Sequence, residues 1–199
     1  QYDRGDTAVA LATEREALTT YRQLFSGYHP RVAAVTNTIG LWLTFAGAYP
    51  EAERDLRTGL EMRRRLFKDN APDVASSLEN LAILQVATHR YSEALGSARA
   101  AIGIFTHAFS ADNWRTAIAE SAAGGALTGL GSYAEAQQLL DHSYAILRKD
   151  PWAQAAFRTL TQQYLQTLHE HQHGSASAAQ AAKRAAQLVS PRTTAGSPR

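Results

Sequence analysis

The chain has 199 residues, of which 45% are hydrophobic, and its 20 lysines and arginines nearly balance 18 aspartates and glutamates. The formal charge of +2 argues against a dedicated binder of nucleic acid or of a membrane surface. Cysteine is absent, which excludes disulfides and thiolate metal sites, and without a membrane-spanning run or a signal peptide we expect a cytoplasmic protein.

An internal repeat of 42 residues organises the sequence. Shifting the chain by 42 positions leaves five columns identical in three successive copies, with no insertion between residues 17 and 149. A period of this length is typical of helical repeat arrays. The identical columns are Phe25/Phe67/Phe109, Ala33/Ala75/Ala117, Tyr49/Tyr91/Tyr133, Glu51/Glu93/Glu135 and Ala52/Ala94/Ala136.

Each copy of the repeat contains two segments in which apolar residues recur at spacings of three and four, and this pattern predicts two helices per copy. Prolines in first helical turns mark several helix starts, and Asp112 and Ser132 are suited to be N-caps. The prediction is a single all-α unit over residues 1–189 with about nine helices and no sheet. In chain order it contains a second helix of a truncated repeat at 7–25, full repeats at 30–68, 72–109 and 113–149, and a degenerate capping repeat at 151–189.

The last predicted repeat divides into a longer helix at 151–172 and an Ala-rich helix at 175–189. Terminal repeats of such arrays are commonly atypical, because they cover the exposed end of the core. Residues 190–199 have no apolar anchor and predict a mobile tail.

Small residues occupy two further columns where the helices of a pair would meet. Small side chains at these positions allow a close approach of the two helices, and stacked pairs then bury a continuous core. The first column contains Gly40, Ala82 and Gly124, and the second contains Ala52, Ala94 and Ala136.

Two segments of the second repeat carry a family resemblance. They are residues 72–82, Pro-Asp-Val-Ala-Ser-Ser-Leu-Glu-Asn-Leu-Ala, and 91–94, Tyr-Ser-Glu-Ala, and residues 29–33 and 49–52 match them one repeat earlier. These motifs resemble the 42-residue tetratricopeptide repeat of the kinesin light chain type, which is also common in bacterial proteins. The resemblance implies a right-handed superhelical solenoid of antiparallel helix pairs, with the first helix of each pair lining a concave groove.

The start of the chain suggests a fragment of a larger protein. Ala10 falls in the column of Ala52, so the first helix of that repeat is almost wholly missing, and no methionine opens the sequence. We therefore expect a C-terminal fragment of a bacterial-type protein, in which the exposed face of residues 7–25 offers a surface for self-association. The resemblance to the C-terminal regions of large bacterial signalling kinases suggests a context for such a fragment.

The resemblance also implies a peptide-binding groove. Asn80 matches an asparagine that holds the backbone of an extended peptide in the kinesin light chain type, and Asn37 lies one column earlier. An amide offers both a donor and an acceptor to a peptide bond. The absence of Lys and Arg at the inward positions disfavours binding of a C-terminal carboxylate. The groove residues implied are Asn37, Thr38, Leu41, Ser76, Glu79, Asn80, Ile83 and Ser121, and less securely Leu160, Gln163 and Tyr164.

A metal site is the sharpest alternative. Residues 169–173, His-Glu-His-Gln-His, satisfy the His-Glu-x-x-His pattern of zinc proteases, with His169 and His173 on one helix face and Glu170 as the base. A catalytic zinc needs a third protein ligand, and residues 174–199 contain no His, Asp or Glu. Hydrolase activity is therefore the remote alternative, and His169 and His173 are weak metal-ligand candidates.

The basic run Arg63-Arg64-Arg65 is the last candidate site. Acidic residues interleave with it on the same predicted helix, which favours a solvated outer face over a phosphate-binding site.

The favoured function is a non-catalytic module that binds a protein or an extended peptide in the groove and so scaffolds or regulates a larger protein. No cofactor, nucleic acid or membrane is expected as a partner. The alternative is a structural spacer or self-association element.

Overall fold

The computed structural model describes residues 4–151 and 153–189, and this part of the chain forms eight α-helices and no strand. The predicted mobile tail, 190–199, lies outside the described residues. The helices are α1 (Arg4–Leu24), α2 (Pro30–Phe45), α3 (Tyr49–Leu66), α4 (Pro72–Ala87), α5 (Tyr91–Ala108), α6 (Trp114–Gly129), α7 (Tyr133–Leu147) and α8 (Ala155–Val189).

Helix starts follow the local sequence, with two differences from the predicted caps. Pro30 and Pro72 each occupy a first helical turn, where the missing N–H costs nothing. The side chain of Asn113, rather than that of Asp112, caps α6 by accepting a hydrogen bond of 3.0 Å from the amide of Arg115. Ser132 precedes α7 as predicted, but its side chain makes no capping hydrogen bond.

The helices pack as pairs that stack into a curved array. The paired helices are α2 with α3, α4 with α5, and α6 with α7. Successive first helices, α2, α4, α6 and α8, also pack closely on one another. The second helices α3, α5 and α7 lie further apart, and α5 meets α7 through the long side chains of Arg99 and Glu135. The array therefore curves with its first helices on the inside, as the solenoid prediction requires.

Glycine allows the close approach within two of these pairs. A Cβ on Gly40 would lie 2.7 Å from Cγ of Leu56, and one on Gly124 would lie 2.6 Å from Cγ of Leu140. In the middle repeat the same column holds Ala82, which shares a core cluster with Ala98. The repeat thus exchanges a glycine facing leucine for an alanine facing alanine, and each arrangement fills the same space.

The turns between paired helices share one backbone feature. Gly47, His89 and Gly131 stand 42 residues apart and all have positive φ, at +79°, +60° and +79°. Glycine adopts this conformation without steric cost, but a residue with a Cβ does not. His89 is therefore the strained member of the column.

The last helix differs from the prediction. The two helices predicted at 151–172 and 175–189 form one continuous helix, α8, so the described residues contain eight helices rather than nine. Gly174 lies inside α8, where a glycine costs only about 1 kcal/mol relative to alanine. The residues that follow it, 176–187, are mostly alanine and glutamine, which favour helix, and no proline interrupts them.

The packing of α8 continues the array. Its N-terminal half contacts α6 and α7, as a further first helix would. Across the ranges 4–151 and 153–189, no helix combines the length and the apolar character that crossing a membrane requires.

Candidate functional site

The inside of the curve contains a cavity of about 910 Å³, which we call the inner cavity. Helices α1, α2, α4 and α8 and the turn between α2 and α3 all contribute to it. Its volume falls within the range of known ligand pockets. The described lining consists of Ala8, Leu11, Thr44, Phe45, Ala46, Gly47, Tyr49, Ile83, Ala87, Leu160, Gln163, Tyr164 and Thr167.

The described lining carries no lysine, arginine, aspartate or glutamate. It consists of aliphatic and aromatic side chains, two threonine hydroxyls and the amide of Gln163. A charged group entering this cavity would lose hydration without gaining an ion pair from these residues. The chemistry of the cavity therefore favours apolar groups together with main-chain amides.

Ile83 is the member of the eight predicted groove residues that lies in this lining. Leu41, one repeat earlier in the same column, is buried in a core cluster with Ile83 and Phe157. The rings of Phe45 and Phe157 meet edge to face at 6.4 Å, so the start of α8 reaches across to the end of α2. Leu160, Gln163 and Tyr164, placed less securely from sequence, all line the inner cavity.

Thr38, Ser76 and Asn80 lie on α2 and α4, outside the described lining. The hydroxyl of Thr38 donates to the carbonyl of Ala34, and that of Ser76 donates to the carbonyl of Pro72. Asn80 is buried, with 6% of its surface exposed. Both hydroxyls are therefore satisfied within their own helices.

Asn37, Glu79 and Ser121 share one column of the repeat, and the resemblance predicts that they face the groove. Asn37 and Ser121 lie in helix interfaces instead. Asn37 packs against Gly59 of α3, where a Cβ on the glycine would lie 3.1 Å from Cβ of Asn37. The hydroxyl of Ser121 lies 2.8 Å from that of Thr161 on α8, and both residues are buried. The structure thus does not bring Asn37 and Ser121 together with Ile83 in the inner cavity.

Glu79, the remaining member of that column, is buried near two arginines. Burial raises the pKa of its carboxyl to about 8, and the positive charges of Arg115 and Arg63 oppose this rise. The carboxyl therefore binds a proton near neutral pH when the chain is folded. Glu79 is absent from the described lining of the inner cavity. Its protonation therefore affects the packing between repeats and not the charge of the cavity.

Arg63 corrects the prediction of a wholly solvated basic run. It is 6% exposed and donates hydrogen bonds to the carbonyl of Asp73 at 2.7 Å and to the hydroxyl of Ser77 at 3.0 Å. Arg64 and Arg65 are exposed, and Arg65 pairs with Glu61. Arg63 occupies the column of Phe105 and Leu147, so it replaces an apolar contact with a hydrogen-bonded one.

A titratable cluster lies between the α5–α6 loop, α6 and α7. Nδ1 of His142 is 2.7 Å from Oε2 of Glu120, and its Nε2 is 3.4 Å from Oδ1 of Asp112. The hydrogen bond with Glu120 raises the pKa of His142, and burial raises the pKa of Glu120. When protonated, the imidazole can donate to both carboxylates.

The zinc-protease pattern lies on an exposed part of α8. His169, Glu170 and His173 are all exposed, and Glu170 accepts a hydrogen bond from Gln166. Within the residues whose side chains are described, no group of three or more His, Asp or Glu residues is placed to hold a metal ion.

Sequence reasoning missed the parts of the inner cavity that lie outside the first helices. Ala8 and Leu11 come from α1, Gly47 comes from the turn between α2 and α3, and Tyr49 is the first residue of α3. The periodicity identifies which residues share a helix face, but not which turns the curvature brings beside them. One sequence feature could have pointed to this region. In the column of Phe45, Ala87 and Gly129, which ends the first helix of each repeat, the size of the side chain changes from repeat to repeat.

Comparison with known proteins agrees with this architecture. Residues 46–107 match the family model of the tetratricopeptide repeat. Among curated proteins, none matches the sequence significantly.

Several solved structures have a similar fold. BtubC (BKLC) from P. vanneervenii aligns with a TM-score of 0.63 and 19% identity over 98% of this chain and 81% of that chain. A Podosopora anserina putative kinesin light chain with nearly identical TPR-like repeats aligns with a TM-score of 0.61 and 18% identity over 95% of this chain and 90% of that chain. A TPR-like protein from Chlorobium tepidum TLS aligns with a TM-score of 0.59 and 19% identity over 69% of this chain and 92% of that chain.

The helix pairs, their 42-residue period and the matched repeats define a solenoid of tetratricopeptide repeats. Within that class, the fold is similar to the TPR-like repeats of the putative kinesin light chain and of BtubC, in agreement with the resemblance of the sequence motifs.

Proposed function

We propose that this chain is a non-catalytic interaction module that binds an uncharged, apolar-rich protein segment in the inner cavity. Tetratricopeptide repeats generally mediate interactions between proteins, and repeat arrays commonly use their concave face. Such binding would serve to scaffold or regulate the protein that carries the module.

The observation that carries the proposal is the chemistry of the inner cavity. It is large, lies on the inside of the curve and has no formal charge in its described lining. Apolar side chains of a partner would gain by leaving water, while Gln163 can donate to and accept from a peptide bond. Because the helices that hold the lining are packed before binding, most of the ordering cost falls on the partner.

The test uses peptides selected from a random displayed library against the native chain. We expect the selected peptides to be rich in apolar residues and poor in charged ones. Gln163→Glu keeps the shape of the lining but adds a charge, and we expect it to weaken a selected apolar peptide by about fivefold or more. Fluorescence anisotropy measures the affinity, with circular dichroism as the check on folding.

Gln162→Glu is the matched control. Gln162 is the neighbouring residue on α8, is exposed, and bonds to the hydroxyl of Tyr144 rather than lining the inner cavity. Its variant should bind like the native chain. Selection of highly charged peptides, or equal weakening by both variants, would reject the inner cavity as the binding site.

Self-association is the second candidate, and the exposed surface of α1 supports it. Val9 and Leu24 are both 67% exposed, which is unusual for large apolar side chains. Light scattering over a range of concentrations tests this candidate. A constant monomeric mass would remove it, whereas a dimer lost in a Val9→Glu, Leu24→Glu variant would support it.

A further inference from the structure

A second, smaller cavity of about 200 Å³ adjoins the inner cavity, and we call it the aromatic cavity. It lies where the C-terminal ends of α4 and α6 approach α8. Tyr164 lines both cavities, so a ligand segment in the inner cavity could extend a side chain into the aromatic one. Its main described features are the rings of Tyr91, Tyr164, His89 and His171 and the glycines Gly125 and Gly129.

Two departures from the repeat make room for the tyrosine rings that line this cavity. Gly125 occupies the column of Leu41 and Ile83, and Gly129 occupies the column of Phe45 and Ala87. The middle copy keeps a large side chain at the first position and a methyl group at the second, while the third copy has no side chain at either position. The space left on α6 is taken by two aromatic rings from other parts of the chain.

Both tyrosine rings lie against these glycines. A Cβ on Gly129 would be 2.5 Å from three ring carbons of Tyr91, and one on Gly125 would be 3.1 Å from three ring carbons of Tyr164. Equal distances to several ring atoms mean that each glycine lies beneath a ring face. The two tyrosines therefore sit side by side, one helical turn apart along α6.

His89 adds a third ring at an energetic cost. It adopts a φ of +60° where the other two repeats have glycine, and its Nδ1 lies 2.6 Å from the hydroxyl of Tyr91. A residue with a Cβ is sterically strained in this conformation. Strain of this kind concentrates at functional sites, and here it places an aromatic ring at the aromatic cavity.

The electrostatics of the aromatic cavity favour a cation. The C-terminal ends of α4 and α6, which carry partial negative charge, both border it. Tyrosine ring faces also attract cations, whereas the described lining contains no lysine or arginine to repel one.

The aromatic lining favours a methylated cation over a bare ammonium. A bare ammonium has three N–H donors that lose their hydrogen bonds to water unless acceptors replace them, but a trimethylated one has none. The hydroxyls of Tyr91, Thr128 and Thr167 are already hydrogen-bonded and keep acceptor lone pairs, so they reduce this difference without removing it. Aromatic rings are the usual recognition surface for quaternary ammonium groups.

We propose that the aromatic cavity binds a quaternary ammonium group, carried as a trimethylated lysine side chain by the protein segment that lies in the inner cavity. This assignment names a partner chemistry for the proposed peptide-binding function and rests on it. Binding of a free quaternary ammonium ion does not depend on that function, so the two can fail separately.

The test compares choline with 3,3-dimethylbutan-1-ol, a neutral molecule of the same shape. Titration into the native chain, followed by amide chemical shifts in NMR spectra, should show saturable binding of choline with shifts at the ends of α4 and α6. The neutral molecule should bind about tenfold more weakly, because it lacks the charge that the rings and helix ends attract. Equal binding of both molecules, or no saturable binding of choline, would overturn the proposal.

Variants locate the binding. Gly129→Ala places a methyl group 2.5 Å from the Tyr91 ring, so the ring must move, and we expect choline affinity to fall by about fivefold or more. Circular dichroism checks that this variant is still folded. Tyr164→Leu should have a similar effect. Tyr28→Leu, on an exposed ring that stacks on Arg65 far along the chain, is the control and should bind like the native chain.

The final arm uses two versions of one selected peptide, with lysine or trimethyl-lysine at the position that reaches the aromatic cavity. The trimethylated version should bind more tightly, and Gly129→Ala should remove the difference. If choline binds but the two peptides do not differ, a peptide-borne ligand is excluded. If no peptide binds while choline does, the proposed function fails and the cation site stands.

Discussion

Single buried residues carry the titration behaviour of this protein, and Glu79 is the clearest case. Its carboxyl is ionised in the unfolded chain above its ordinary pKa of 4.5, whereas burial raises its pKa to about 8 in the folded chain. The folded state therefore binds the extra proton between these values. Stability from this group is greatest below pH 4.5 and falls as the pH rises to about 8.

Replacing Glu79 with glutamine should remove this dependence. Each unit of pKa difference corresponds to about 1.4 kcal/mol, so at pH 8 we expect Glu79→Gln to be more stable than the native chain by about 1 kcal/mol or more. Urea unfolding between pH 5 and 8 provides the measurement. Glu61→Gln, on an exposed residue paired with Arg65, is the control, and an unaltered pH slope in Glu79→Gln would contradict the assignment.

His142 should give a second, smaller pH effect. Its hydrogen bond with Glu120 raises its pKa above the ordinary 6.5. The stabilisation is therefore fully present below pH 6.5 and is lost as the pH rises through the raised pKa. We expect His142→Gln to lower the melting temperature at pH 6 and to leave it nearly unchanged at pH 9, and a drop of equal size at both pH values would argue against an ionic role.

At the level of the element, close packing of paired helices depends on glycine at two positions. Gly124→Ala would place a methyl group 2.6 Å from Cγ of Leu140. Overpacking of this kind costs about 1–3 kcal/mol, which exceeds the gain of about 1 kcal/mol in helix propensity. We expect Gly124→Ala to lower the free energy of unfolding in urea. Gly103→Ala, at a position with nothing within 4 Å, should raise it, and stabilisation by Gly124→Ala would contradict the packing account.

The helices themselves could be predicted closely from the sequence, because the 42-residue period gives each one three times. The exception is the end of the array, where no second copy constrains the pattern. Gly174 and the alanines around it are compatible with either a turn or a helix. Alanine side chains offer little that distinguishes a returning helix from a continuous one.

At the level of the whole molecule, the candidate site was only partly predictable. Of the groove residues that the family resemblance implies, Ile83 and the α8 residues Leu160, Gln163 and Tyr164 line the inner cavity. The resemblance does not separate them from Asn37, which lies one helical turn before Leu41 on α2 and packs on Gly59 instead. That distinction depends on how closely α2 and α3 approach, and this follows from the packing of the pair.

The central claim is that the inside of the curve is the binding surface, and hydrogen exchange of the native chain with a selected peptide tests it most directly. We expect the peptide to slow amide exchange at the end of α2, in α4 and in the N-terminal half of α8, which line the inner cavity. The outer helix α5, and α3 beyond its first turn, should exchange as in the free chain. Protection confined to α3, α5 or the exposed face of α1 would contradict the account.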